Sequence, residues 1–255
     1  MAVRVATWNV NLLRMRLPQV LAWFARCPID VLALQETKLT DPDFPHSELA
    51  AHGYHSIASG RKTYNGVALL SRSPYAAVVT NIPGLDDAPR RVLAATIYGL
   101  RVVNLYVPNG LSVGSEKYAY KLRWLAALDA WLRTEARDHE QLVVLGDFNI
   151  APADRDVHEP AKWLGSVHVS EPERAALHGL LSLGLVDVFR QFDQPPESFS
   201  WWDYRGVSLR RNNGPCIDLI LAGAGLAARC TSSYIDPAPR RADRPSDHTL
   251  RDCNF

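Results

Sequence analysis

The sequence predicts an α/β sandwich, and three observations carry that reading. Short runs rich in Val, Ile, Leu and Ala recur along the chain, helical patterns lie between some of them, and two runs, Val92–Tyr98 and Arg101–Val107, meet at a Gly99 turn. A turn that tight implies antiparallel pairing, which favours a sandwich over a doubly wound parallel sheet.

The elements follow in order. Val3–Trp8 opens the chain as a strand. Leu17, Val20, Leu21 and Phe24 then fall at i, i+3, i+4 and i+7, the stripe of an amphipathic helix. Val31–Gln35 and Gly66–Ser71 are nearly continuous apolar runs, as expected of strands covered on both faces. The Gly99 pair comes next, and Tyr118, Leu122, Leu125, Leu128 and Leu132 mark a long helix. Leu142–Leu145 is another strand. Ser170-Glu171-Pro172-Glu173 is a capping box with Pro in the first turn, opening a helix that Gly184 closes. Ile217–Leu221 is the last strand predicted.

With 255 residues, 47% hydrophobic and 22% charged, the chain can bury a core without a disulfide or a structural metal. No repeat or linker marks a boundary, so residues 1–255 read as a single domain. Cys27, Cys216, Cys230 and Cys253 lack paired spacing and read as reduced thiols. Without a signal-like segment or a run long enough to span a membrane, the expectation is a cytoplasmic monomer with no membrane partner. The net charge of +1 excludes a polycation that coats nucleic acid by bulk charge, though not a local basic face. Only five of the 28 basic residues are lysines, leaving 23 arginines, a skew that suits phosphate contacts and equally suits a base-composition bias.

The strand ends carry the chemistry. Thr7-Trp8-Asn9-Val10-Asn11, Gln35-Glu36, Gly146-Asp147-Phe148-Asn149 and Ile217-Asp218 all end apolar runs in acids or amides, and Ser246-Asp247-His248 lies near the C-terminus. A single acid at a strand end is usually a turn or a cap. Several converging would repel one another without a cation, and oxygen donors of this kind suit Mg²⁺ or Mn²⁺. The pattern predicts metal-assisted chemistry on a phosphate.

These motifs, in order, are TWNVN, DVLALQETK, NGVALLSR, NLYVPNG, GDFNIAP, SFSWWDYR, CIDLIL and RPSDH. Together they resemble the exonuclease III/AP endonuclease family of the DNase I-like endonuclease–exonuclease–phosphatase superfamily. The resemblance implies a four-layer α/β sandwich: two packed mixed β-sheets flanked by helices, with the site at one edge. By position it makes Glu36 the principal Mg²⁺ ligand, with Asp247 and Asn9 beside the metal. Asn11 would meet the metal or the phosphate. Asp147, the favoured base, and Asn149 would orient the attacking water, and Tyr106 would contact the scissile phosphate or leaving oxygen. His248 would contact a nonbridging oxygen, held by Asp218. The implied activity is Mg²⁺-dependent hydrolysis of duplex DNA, with Mn²⁺ a possible substitute. It would be incision 5′ to abasic sites, 3′→5′ exonuclease with 3′-end cleaning, or both.

Substrate contacts fall to other residues. Arg90 and Arg91 match an arginine segment expected near DNA, and Arg210 and Arg211 follow SWWDY. Trp201 and Trp202 could stack on a base or wall an abasic-sugar pocket, although core packing is the commoner role of an aromatic. The remaining histidines, His168 among them, show no zinc spacing and read as ordinary loop or surface residues.

Three departures from the family pattern stand out. Leu12 and Leu13 occupy the loop after Asn11, where a Gly is common. Cys216 stands where the family usually has Arg, removing a charge that would support Asp218. The polar stretch after His248 replaces an apolar strand and is expected to weaken the anchor of Asp247 and His248. The last two motivate one alternative, a catalytically weakened DNA-damage-binding relative. A second is an α/β-hydrolase using Ser112 of Gly110-Leu111-Ser112-Val113-Gly114, with Pro108-Asn109 interrupting the strand before it.

Overall fold

The computed structural model describes residues 2–205 and 208–255. Its strands are β1 (Arg4–Asn9), β2 (Val31–Gln35), β3 (His55–Ser59), β4 (Val67–Ser71), β5 (Tyr75–Thr80), β6 (Val92–Ile97), β7 (Leu100–Tyr106), β8 (Leu142–Asp147), β9 (Leu185–Asp187), β10 (Asp218–Gly223), β11 (Ser232–Asp236) and β12 (Leu250–Asn254). Its helices are α1 (Leu13–Arg26), α2 (His46–Ala51), α3 (Glu116–Asp138), α4 (Glu171–Leu181) and α5 (Ala224–Ala227).

The strands form two six-stranded sheets, ordered β11-β12-β1-β2-β4-β3 and β5-β6-β7-β8-β10-β9. Both are mixed: β1 runs parallel to β2 and β7 parallel to β8, and the other pairings are antiparallel. Apolar side chains from the facing surfaces, such as Val5, Ala33, Val102, Val143 and Ile220, make the inter-sheet core. Trp8, Leu32 and Leu34 pack outward against Val20, Trp23 and Phe24 of α1. On the far side Val103, Val144 and Leu219 pack against Trp124 and Leu128 of α3 and Leu177 of α4. The result is the four-layer sandwich expected. The doubly covered central strands explain the unbroken apolar runs. No described helix is long and apolar enough to cross a membrane.

Local signals behave as read. The Ser170–Glu173 capping box forms at the start of α4, and Gly99, at φ 77°, turns β6 into β7. The sequence reading passed over β3, β5, β9 and β11, which are the four sheet edges. Edge strands bury one side at most, and β5 is almost wholly exposed although Tyr75–Val79 is an apolar run.

The segment after His248 corrects the expectation of a weakened anchor. Leu250–Asn254 is an interior strand, with Arg251 registered between Thr7 of β1 and Ile235 of β11. Its polar side chains are partnered inside the protein: Asp252 accepts from Arg4 Nη2 at 2.6 Å, and Arg251 is paired with Asp187. Cys253 packs in the inter-sheet core and Leu250 in the outer one. Paired charges stand where apolar residues were expected, with Arg251 Nε and Asp252 Oδ1 left without a hydrogen-bond partner among the described residues.

Candidate active site

Neighbouring strands from both sheets end at the same rim. Asn9 closes β1, Gln35 closes β2 and leads into Glu36, Tyr106 closes β7, Asp147 closes β8 and Asp218 opens the antiparallel β10. Register makes this convergence obligatory, since Asn9 pairs with Gln35, Tyr106 with Asp147, and Asp147 with Asp218. Between the sheets a polar plug lies just beneath: Gln35 Nε2 donates to Thr7 Oγ1 at 2.9 Å and to Asn104 Oδ1 at 2.7 Å. Gly146, at φ 140°, is required here, because a Cβ would lie 2.0 Å from the Leu105 carbonyl oxygen. Only glycine lets β8 approach β7 closely enough to deliver Asp147. Glu36 and Lys38 also adopt positive φ, 51° and 54°, as the chain turns over the rim.

Glu36, Asp147 and His248 each place one ligand-capable atom within 4.8 Å of the others. Asn9 spans two of them, its Nδ2 donating to Glu36 Oε1 at 3.0 Å and to Asp147 Oδ2 at 2.9 Å. Its Oδ1 accepts from the Asn11 main-chain N–H at 3.0 Å. Asn9 thus joins the two carboxylates as a donor bridge, with its side-chain oxygen turned to the Asn11 main chain. Asp247 also stands apart from the cluster, its carboxylate accepting from Asn11 Nδ2 and Trp201 Nε1, each at 2.9 Å. Lys38 places its ammonium 2.9 Å from Glu36 Oε2 and 2.5 Å from Asn11 Oδ1.

His248 is buried between two acids. Its Nδ1 lies 2.9 Å from Asp218 Oδ2, and its Nε2 lies 3.7 Å from Asp147 Oδ2. Burial alone would discharge the ring, but the Asp218 and Asp147 charges and the Asp218 hydrogen bond outweigh it, raising the pKa to about 10. Asp147 moves the other way from an ordinary carboxylate. Burial, opposed by His248 and reinforced by Asp218 and Glu36, lifts it to about 7. Burial also opposes ionisation of Asp247, yet the His248 charge and the bonds from Asn11 and Trp201 hold its carboxyl below the usual range. Burial and the charges of Glu36 and Asp147 push the Tyr106 phenol well up, keeping it protonated.

Asn149 supports the loop more than it faces the cluster. Its main-chain N–H donates to Asp147 Oδ1 at 2.9 Å, and its Nδ2 donates to the Val107 carbonyl at 3.0 Å. Arg91 lies over the Tyr106 ring, 4.6 Å from its centroid, whereas Arg90, Arg210 and Arg211 are exposed. Trp201 packs beside His248, with ring centroids 6.4 Å apart. Trp202 is buried, donating to Asn212 Oδ1 at 3.0 Å beneath the Arg240 guanidinium, a packing role that leaves little face for a base.

His168 lies in a loop, as expected, but it is no surface residue. It is 6% exposed, lies between Trp163 and Trp201, and its Nδ1 is 2.7 Å from the Asn149 carbonyl oxygen. The same carbonyl accepts from Lys121 Nζ at 2.8 Å, and Lys121 pairs with Glu173 in full burial. The capping-box Glu173 was legible, but not its second job of neutralising a lysine 52 residues away.

The hydrolase alternative fails on position. Ser112 lies exposed on the loop before α3, and the His248 ring nitrogens face Asp218 and Asp147, so neither is left to activate it. The expected loosening of the Asp218–His248 pair beside Cys216 is not seen either. Arg251 donates to the Asp218 carbonyl at 2.7 Å and supplies a positive charge there.

Comparison with known proteins agrees with this geometry. Residues 6–248 match the model of the Endonuclease/Exonuclease/phosphatase family. The chain is 34% identical to exodeoxyribonuclease III of Haemophilus influenzae, over 96% of this chain and 97% of that protein. Two solved structures of NExo from Neisseria, one described as a 3′-5′ exonuclease and one as a 3′ phosphatase bound to product DNA hairpin, align with TM-scores of 0.97. Each is 45% identical, over 99% of both chains. An AP endonuclease from Archaeoglobus fulgidus aligns with a TM-score of 0.92 at 39% identity over 98% of both chains. Rim, register and relatives thus place this chain in the endonuclease/exonuclease/phosphatase family, on its exonuclease III-like side.

Proposed function

We propose that this chain is a metal-dependent DNA-repair phosphoesterase acting on 3′ ends of duplex DNA. In this reading residues 1–255 work as one monomeric nuclease unit in the cytoplasm, where the four free cysteines would stay reduced. The observation that carries the reading is the cluster of Glu36, Asp147 and the doubly acid-flanked His248. The 45% identity to NExo supports the 3′-end preference, as exonuclease and phosphatase. Similarity to the A. fulgidus AP endonuclease favours incision 5′ to abasic sites as a second reading.

The donor set fits a divalent cation. Two carboxylates are drawn together with only an amide bridge, a lysine and a cationic imidazole to offset their repulsion, and hard oxygen donors suit Mg²⁺ or Mn²⁺. Glu36 would hold the ion, which when bound supplies charge neutralisation to the phosphate oxygens. Asp147, with a carboxyl near 7, takes the proton from the attacking water, and Asn9 and the Asn149 main chain hold its oxygens in place. His248, cationic at neutrality, donates from Nε2 to a nonbridging oxygen while Asp218 fixes its ring. Tyr106, kept protonated, donates to the phosphate or leaving oxygen. Asn11 and Trp201 steady Asp247 beside the phosphate path. Exposed Arg90, Arg210 and Arg211 would contact the DNA backbone, with Arg91 and Trp202 shaping the surface beneath.

The test is a side-by-side assay on recessed-3′, 3′-phosphate and abasic duplexes with Mg²⁺, repeated with EDTA. Faster turnover of the two 3′-end substrates, abolished by EDTA and by Glu36→Ala, is expected. Full activity of Glu36→Ala would overturn the site assignment, and faster abasic incision would reverse the order of the two readings.

A further inference from the structure

The inter-sheet layer of a sandwich is a poor place for a guanidinium, yet Arg251 is fully buried there. It comes from β12, three residues after His248, on the same face as core Cys253. Its head reaches the opposite sheet. Nη1 donates to the Asp218 carbonyl oxygen at 2.7 Å and lies 3.9 Å from the Cys216 sulfur, and Nη2 pairs with Asp187 of β9. The guanidinium also stacks on Phe189, 4.5 Å from the ring centroid. Asp187 is held in turn, its Oδ1 accepting from the Phe189 N–H at 3.1 Å. Its charge is met by one carboxylate, and its Nε is left without a partner among the described residues.

This geometry joins the two strands beside which Asp218 and His248 meet. His248 leads into β12 of one sheet and Asp218 opens β10 of the other, and the Arg251 side chain crosses between them. A bond to the Asp218 main chain sets the height of the carboxylate that holds His248 Nδ1. Cys216, two residues upstream, presents a small buried thiol to the same space, and the cation that bonds the Asp218 main chain comes from the far strand.

We propose that Arg251 is a positioning residue for the Asp218–His248 pair, supplying across the sheet interface the charge that Cys216 lacks. The inference rests on the hydrolytic reading above. Arg251 touches no reacting atom and acts through Asp218. Its loss should slow the chemical step without weakening DNA binding, and the cation should be transferable to position 216.

The experiment compares wild type, Arg251→Val and the double variant Cys216→Arg/Arg251→Val on a 3′-phosphate duplex with Mg²⁺. One-dimensional proton NMR of each protein follows the low-field Nδ1–H of His248. Arg251→Val is expected to lower kcat about 10–100-fold with KM nearly unchanged, and to broaden or lose that proton signal. The double variant is expected to recover both kcat and the signal. Wild-type kcat and an unchanged signal in Arg251→Val would overturn the proposal. So would a double variant that is folded but as slow as the single one, or one that does not fold at all. An inactive wild type would instead sink the hydrolytic reading, and the NMR comparison would still judge Arg251.

Discussion

His248 Nδ1 sits 2.9 Å from Asp218 Oδ2, in a site where neither side chain reaches solvent to any extent. Proximity in a dry setting makes this contact decisive, because a buried imidazole would otherwise shed its proton. Asp218→Asn should therefore lower kcat by about 10²-fold or more while leaving KM for DNA near the wild-type value. Single-turnover kinetics on a 3′-phosphate duplex will measure it. A variant within a few-fold of wild type would mean that the His248 charge does not depend on Asp218.

Lys121 and Glu173 form an ion pair with no exposure on either side chain. Burial pulls the Lys121 pKa down, and Glu173 is the carboxylate that opposes this. Glu173→Ala strands an ammonium beneath the Asn149 loop and also removes the α4 cap, so a loss of about 3–5 kcal/mol is expected. Urea denaturation will show it, and a loss below about 1 kcal/mol would contradict the burial argument.

His168 gives the fold an acid limit of its own. Burial first, then the Lys121 charge, lowers its pKa from 6.5 to about 4. Since the unfolded chain takes up the proton more readily, this stabilisation is complete above the unfolded value of 6.5 and drains away as pH falls toward 4. The full span is worth about 3 kcal/mol, and about 2 kcal/mol is lost between roughly pH 7 and pH 5. His168→Asn should flatten the slope of unfolding free energy against pH in that window, and parallel slopes would rule out the assignment.

Ser112→Ala separates the two hydrolytic chemistries cheaply. An exposed loop hydroxyl contributes nothing to phosphoester cleavage when the His248 ring nitrogens face Asp147 and Asp218, so activity should stay within about two-fold of wild type. Loss of activity in Ser112→Ala, together with insensitivity to EDTA, would favour the serine mechanism.

The chain's own residues determined a good deal before any folding was considered. Doubly covered strands such as β2 and β8 wrote themselves as unbroken apolar runs, because both of their faces are core. Glu36 and Asp147 were legible because they close apolar runs, and Asp218 and His248 because the motifs that carry them resemble those of a known family. What only tertiary structure decided was the pairing across sheets. Edge strands escape such reading because their exposure is set by what they pair with: β3 is short and mixed in polarity, and the apolar run of β5 lies almost wholly exposed. Burial of His168 depends on Trp163 and Trp201, and the bridging role of Asn9 depends on register with Gln35. The two departures that looked damaging, Cys216 and the polar tail, meet in space where Arg251 serves the strand that Cys216 precedes. Sequence spacing reports which side chains share a face, but a buried charge is judged by its partner. For Arg251 that partner lies 64 residues away, across the core.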